Sequence, residues 1–241
     1  MTLAQWPRRV SALAQVRVED PARPALAAAD DHHLRRVLRA SDGDEIVVTN
    51  GAGSWAIAAW RDGFVEPITD VVVDEPPAPC ALYLTPLNGP RAEWALAKAT
   101  EVGVTTIVPL LSRRMNAPFR GEAAARTLTR WRRVVREATS QARRSFEPLV
   151  DEPRRPDQVP DDVAVCDLEG SGDWGGVVAV AVGPEGGWAP GEWPESRRRV
   201  SLGPSVLRAE TAAVVAAALV ALSAGRWGFT LGGDMSKDGG S

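Results

Sequence analysis

From Ala81 onward, short continuous apolar runs alternate with longer segments of helical period. Ala81 to Leu84, Thr105 to Leu111, Val163 to Leu168 and Val177 to Val182 read as strands, being short and bounded by Gly, Pro or polar clusters. Arg91 to Val102 reads as a helix with Trp94, Leu96 and Ala97 as apolar contacts and Gly103 as its stop. Ala123 to Arg144 reads as a longer one. Strands separated by helices predict a largely parallel sheet covered on both faces. The stretch from Val177 to Ser223 reads as strand, glycine loop, short polar helix, second strand (Val200-Ser201-Leu202), second loop, and an apolar helix from about Ser205. Both strands stop at Gly-Pro, at Gly183-Pro184 and Gly203-Pro204. Open α/β sheets bind ligands in the crevice beyond the carboxyl ends of their strands.

The N-terminal part has a different rhythm. Asp30-Asp31 opens a helix in which Leu34, Val37 and Leu38 share one face and Arg35, Arg36 and Arg39 the other. Glu45 to Thr49 and Ser54 to Trp60 read as strands joined by the hairpin signal Asn50-Gly51. Arg61-Asp62-Gly63 turns again, and Ile68 to Val73 is β-rich. A small β-barrel module with one helix is predicted over residues 1–73. The proline-rich linker Asp74 to Pro79 follows, then an α/β domain over residues 74–230 and a flexible glycine-rich tail over 231–241.

Composition narrows the class. Hydrophobic content of 44%, charged content of 24% and a net charge of −3 fit a soluble globular chain and give no global sign of nucleic-acid binding. The longest apolar run, Ala212 to Leu222, is too short for a bilayer, and the N-terminus lacks a signal-peptide core. A cytoplasmic protein without membrane contact is expected. Cys80 and Cys166 form no C-x-x-C pair, and His32 and His33 are the sole histidines, so neither a disulfide framework nor a metal site is expected.

Candidate chemistry concentrates in the loops and in the arginines. Gly183-Pro184-Glu185-Gly186-Gly187 matches neither a Walker loop nor G-x-G-x-x-G, yet its glycines let backbone N–H groups approach a ligand. A tight turn needing positive φ explains it equally well. Arg126, Arg130, Arg133 and Arg136 line up along the long helix. Such a stripe supplies phosphate contacts to RNA or is simply a solvated face, and composition does not decide between them.

In their order along the chain these motifs resemble the RsmE family of bacterial 16S ribosomal RNA uracil-N3 methyltransferases, in the SPOUT superfamily. The resemblance rests on His32 to Arg39 with Gly43-Asp44, on Lys98-Ala99-Thr100-Glu101-Val102-Gly103-Val104, and on Glu137-Ala138 with Gln141 and Arg144. It rests further on Gly183 to Gly187, and on Leu202-Gly203 with Val206 to Ala212. Ser205 and Ala209 depart from the family's usual Arg and Thr.

The resemblance implies an N-terminal PUA-like β-barrel, a C-terminal SPOUT α/β domain with a trefoil knot, and a homodimer. It implies S-adenosyl-L-methionine held by Gly183, Glu185, Gly186, Gly187, Leu202, Gly203, Val206 and Leu207. Arg208 would stabilise charge on the uracil, with Glu210 as base or orienting group. Arg35, Arg36, Arg39, Arg130, Arg133, Arg136, Gln141 and Arg144 would contact 16S ribosomal RNA or the small subunit. Two other readings remain: a SPOUT enzyme acting on a different base or on tRNA, and a non-catalytic RNA-binding factor.

Overall fold

A computed structural model describes residues 6–62, 64–87, 89–115 and 119–227. It divides into two units, one made of the chain up to Pro76 together with Arg136–Glu147, the other of Pro77–Val135 with the residues from Pro148 on.

In the first unit, α1 (Trp6–Ser11) leads into β1 (Gln15–Arg17), and α2 (Ala28–His32) runs on as one π-helical turn, His33–Val37. The sheet contains β1, β2 (Glu45–Thr49), β3 (Ser54–Arg61), β4 (Phe64–Pro67) and β5 (Val72–Val73). β1 pairs parallel with β2, β2 pairs antiparallel with β3, and β4 and β5 pair with different parts of β3. The expected hairpin forms, with the Asn50 side chain accepting the N–H groups of Ala52 and Ser54.

Three expectations change here. Ala27, not an aspartate, precedes α2, and Asp30 and Asp31 lie in its first turn, where the helix dipole favours anions. Leu34 is buried and Leu38 half-buried, but Val37 is 61% exposed, because the wider i→i+5 winding rotates it off their face. The Leu38 N–H bonds the His33 carbonyl at 3.0 Å, the mark of that winding. Residues 68–71 are not strand; β4 and β5 flank them.

The second unit is the parallel sheet. Its strands are β6 (Ala81–Leu84), β7 (Thr106–Pro109), β8 (Leu149–Val150), β9 (Ala164–Ser171), β10 (Ala179–Val182) and β11 (Arg199–Val200). They lie in the order β11-β9-β10-β6-β7-β8, every pairing parallel. Side chains alternate across the sheet as strand geometry requires. Leu82, Leu84, Ile107, Val180 and Val182 enter the core shared with α3 (Pro90–Val102), α4 (Gly121–Gln141) and α5 (Ala209–Ser223). Each such fully buried aliphatic side chain contributes roughly 1.5–3 kcal/mol.

Tyr83, Val108, Val165 and Ala181 enter a second core on the other face. That face is closed by irregular chain carrying Val159, Val163, Trp188 and Trp193. Arg197 pins this covering: 7% exposed, it donates to the carbonyls of Val159, Pro160 and Val163, and it lies 5.3 Å from the Trp193 ring centroid. The short polar helix expected before β11 is absent; turns and bends take its place, in a stretch holding Pro190, Gly191 and Pro194. Trp94, expected as an apolar contact of this helix, is 48% exposed, while Ala92, Ala95, Leu96 and Ala99 form the buried face of α3. The tail expected over 231–241 lies outside the described residues.

Candidate functional site

β10 and β11 both run parallel to β9, so Val182 and Val200 deliver their chains to the same edge of the sheet. The loops that follow, the outer part of β9, the turn carrying Trp188 and Trp193, and Ala209 and Ala212 of α5 enclose a cavity of about 770 Å³. Gly183, Glu185, Gly186, Gly187, Leu202, Gly203, Val206 and Leu207 all line it. α5 begins at Ala209 rather than near Ser205, because Ser205–Leu207 stay irregular and Arg208 is extended (φ −65°, ψ 151°) at its N-cap. Val206 is consequently 82% exposed in the cavity wall.

Backbone geometry gives the first loop its form. The Gly187 N–H bonds the Pro184 carbonyl at 2.9 Å, closing a turn that places Gly187 at φ 68°. Gly203 in the second loop sits at φ 109°, another region that favours glycine. Open space lies where side chains on Gly186, Gly187 and Gly203 would stand. At Gly183 the reason is close approach: a Cβ there would meet the Trp188 ring at 2.9 Å. Trp188 is held by its Nε1–H donating to the Cys166 carbonyl at 2.9 Å, and by an edge-to-face contact with Trp193 at 5.2 Å.

The cavity's charge is mostly carboxylate: Asp167, Glu169, Glu185 and Glu192 against Arg114 and Arg199. Arg199 pairs with Asp167. Glu192 is occupied, accepting the backbone N–H groups of Arg113 at 2.6 Å and Ala189 at 2.7 Å. Arg114 donates to the Gly186 carbonyl at 3.0 Å and so tethers the first loop. Burial, aided by Asp167, pushes the Cys166 thiol up to about 12, so the thiol is un-ionised at physiological pH. Among the described residues no cluster of three or more His, Cys, Asp or Glu side chains could hold a metal ion.

Arg208 and Glu210 are not among the lining residues. Arg208 is exposed at the mouth of α5. The Glu210 side chain is only 14% exposed; its Oε1 lies 3.8 Å from Arg91 Nε, and its Oε2 is buried without a hydrogen-bond partner among the described residues. Arg91 in turn reaches Glu185 of the first loop at 3.1 Å.

The residues expected to meet RNA fall on both units. Arg35 is tied to Asp31 and Asp62 and lies 5.2 Å from the Trp60 ring centroid, while Arg36 and Arg39 are exposed. On α4, Arg130 pairs with Glu93 in the second unit, and Arg133 is exposed. Arg136, paired with Glu147 at 3.5 Å, and Gln141 line a cavity of about 1500 Å³ within the first unit, with Asp30 and His33; Arg144 does not. Burial raises the Asp30 pKa, with His33 and Arg136 pulling against it.

Arg91, Arg114, Trp188 and Gly170 were not singled out from sequence. Gly170 is where a Cβ would come within 2.5 Å of the Val200 backbone, so the closeness of β11 to β9 depends on it. A tryptophan directly after Gly-Gly was the one signal that could have pointed to Trp188.

The family model described as RNA methyltransferase domain matches residues 74–221, and that of the RNA methyltransferase PUA domain matches residues 28–59. The chain therefore belongs to the RNA methyltransferase family. Its curated relatives are more particular. The ribosomal RNA small subunit methyltransferase E of Synechocystis sp. is 30% identical over 222 residues, spanning 81% of this chain and 71% of its own. That of Mycobacterium bovis is 30% identical over 223 residues, spanning 81% and 84%. The crystal structure of the same enzyme from Neisseria gonorrhoeae, bound to S-adenosyl methionine, is similar with a TM-score of 0.71 at 26% identity, covering 86% of this chain and 96% of its own. Among the described residues no helix is long and apolar enough to cross a membrane.

Proposed function

We propose that this protein transfers a methyl group from S-adenosyl-L-methionine to N3 of a uridine in 16S ribosomal RNA. The observation that carries the reading is the convergence of two Gly-Pro loops on one cavity, in a chain whose curated relatives are named ribosomal RNA small subunit methyltransferase E. The open glycine cradle at Gly186, Gly187 and Gly203 suits a cofactor gripped by backbone N–H groups. The excess of carboxylates around it suits a ligand that carries a positive charge.

Bound there, the cofactor would supply an electrophilic methyl group on a sulfonium. The chain's own residues do the rest. N3–H of uracil is a weak acid, so its proton passes to solvent on or before attack, and the methyl group takes its place on N3. Arg208, extended and exposed ahead of α5, stabilises the negative charge that develops on the uracil carbonyls. Glu210, nearly buried behind it, orients that helix start. Arg35, Arg36 and Arg39 on the first unit, and Arg130, Arg133, Arg136, Gln141 and Arg144 from α4 onward, bind the RNA backbone while the target base is unstacked. The reading includes closure of the first unit's sheet as a PUA-like barrel, a trefoil knot around the second loop, and a homodimer formed through α5 in the cytoplasm.

Calorimetric titration with S-adenosyl-L-methionine tests the site. One binding event per chain is expected, and Gly203→Val, which forces a branched side chain into a left-handed backbone, should abolish it. No heat from the wild-type protein would overturn the proposal.

A further inference from the structure

Arg91 stands between two carboxylates that belong to different parts of the site. Its Nη1 lies 3.1 Å from Glu185 Oε1 in the first glycine loop, and its Nε lies 3.8 Å from Glu210 Oε1 in the first turn of α5. Arg91 itself is fixed in the first turn of α3, after Gly89 and Pro90. The two carboxylates differ in solvation, Glu185 being 54% exposed and Glu210 only 14%. Glu210 is therefore the partner that depends on Arg91, because its other oxygen is buried and has no donor among the described residues. Removing the guanidinium would leave a largely buried carboxylate with no cation within ion-pair distance among the described residues, and such a group moves from its place. Glu210 is two residues from Arg208, so its movement displaces the helix start from which Arg208 projects.

We infer that Arg91 is a positioning residue, a strut that couples the glycine loop holding the cofactor to the helix start that faces the RNA base. This rests on the methyl-transfer reading above. The Glu185 end is wet and contributes little to stability. The Glu210 end sets the geometry. A ligand that settles the first loop thereby also settles the Arg91 guanidinium, and through Glu210 the first turn of α5. Glu185 thereby has a second role besides lining the cavity.

The test compares wild type, Arg91→Ala, Arg91→Lys, Glu210→Gln and the double variant Arg91→Ala/Glu210→Gln. Calorimetry reads S-adenosyl-L-methionine affinity, single-turnover assays at saturating cofactor read methyl transfer to 16S RNA, and thermal melts report folding. In Arg91→Ala the transfer rate should fall roughly 10- to 100-fold, the scale expected of a small misplacement at a reacting centre. Cofactor affinity should fall no more than about fivefold, the ceiling an exposed pair supports. The RNA concentration for half-maximal rate should stay within about twofold and the melting midpoint within about 2–4 °C. Arg91→Lys, a point charge that reaches one carboxylate at a time, should recover part of the rate. The double variant should be no slower than the slower single variant, since the two residues act through one contact.

A rate for Arg91→Ala within twofold of wild type would overturn the strut, as would additive losses in the double variant or a rate loss that follows the melting midpoint. Failure of the wild-type protein to bind the cofactor is a separate result, and sinks the functional reading itself.

Discussion

The two units hold their key groups in opposite ways. In the first, a buried ionic knot sets the geometry: Asp74 Oδ2 accepts from Arg9 at 3.2 Å, Trp55 Nε1 at 3.1 Å and Ser145 Oγ at 2.6 Å. Arg9, 2% exposed, also lies 4.5 Å from the Trp55 ring centroid, and burial lowers its pKa against the pull of Asp74. In the second, the cavity is shaped by backbone, through glycines at positive φ and glycines that other groups approach closely. A structure held by paired side chains is broken by removing an atom group. One held by bare backbone is broken by adding one.

The largest effect should come from subtraction in the first unit. Asp74→Ala leaves the Arg9 guanidinium buried without its anion and should cost about 3–5 kcal/mol in denaturant unfolding. A loss below about 1 kcal/mol, the scale of an exposed pair, would erase the contrast. Next comes Arg208→Ala, which subtracts from the exposed edge of the second unit. Turnover should fall roughly 10²–10³-fold, as when a charge-stabilising donor is lost, with cofactor affinity unchanged in calorimetry. Equal loss in both would remove Arg208 from the catalytic assignment.

Addition is the sharper probe of the second unit. Gly170→Ala places a Cβ about 2.5 Å from the Val200 backbone and should cost roughly 1–3 kcal/mol, with weakened cofactor binding because β11 and its loop must shift. Unchanged stability would mean that β11 is not held as closely as its pairing indicates.

The smallest effect concerns pH. Asp30 has its folded-state pKa raised by burial, so its contribution to stability is fully present below the ordinary carboxylate range and is lost as pH rises through the raised value. Asp30→Asn should therefore raise the unfolding midpoint slightly at about pH 7 and make no difference near pH 3, below the ordinary Asp value. A gain of the same size at both would mean the effect is not ionic.

Legibility followed the same division. In the second unit, the apolar runs at Ala81–Leu84 and Val177–Val182 and the Gly-Pro stops were enough to place the parallel sheet, the shared edge and the cavity-lining loops. Local pattern carries that information because both faces of such a strand are buried. What escaped was either too short or set by distant partners. β8, two residues long, has no period to read, and the turn carrying Trp188 and Trp193 resembled a polar helix because its apolar members pack under the sheet. Helix α5 seemed to start at Ser205 because Val206 and Leu207 extend its apolar run, whereas both line the cavity. In the first unit, Val37 fits the α-helical period as well as Leu38 does, and only the π turn separates them. The links of Arg91 to Glu185 and Glu210 join residues far apart in sequence, which no local pattern reveals.

The central claim is that the cavity at the two Gly-Pro loops serves methyl transfer to N3 of a ribosomal uridine. The direct measurement is nucleoside mass spectrometry of 16S ribosomal RNA from cells lacking the gene, before and after treatment with the purified protein and isotope-labelled S-adenosyl-L-methionine. The account predicts one 3-methyluridine missing from the RNA, restored with the label by the wild-type protein and not by Gly203→Val. A label on any other atom, or RNA with an unchanged modification profile, would contradict it.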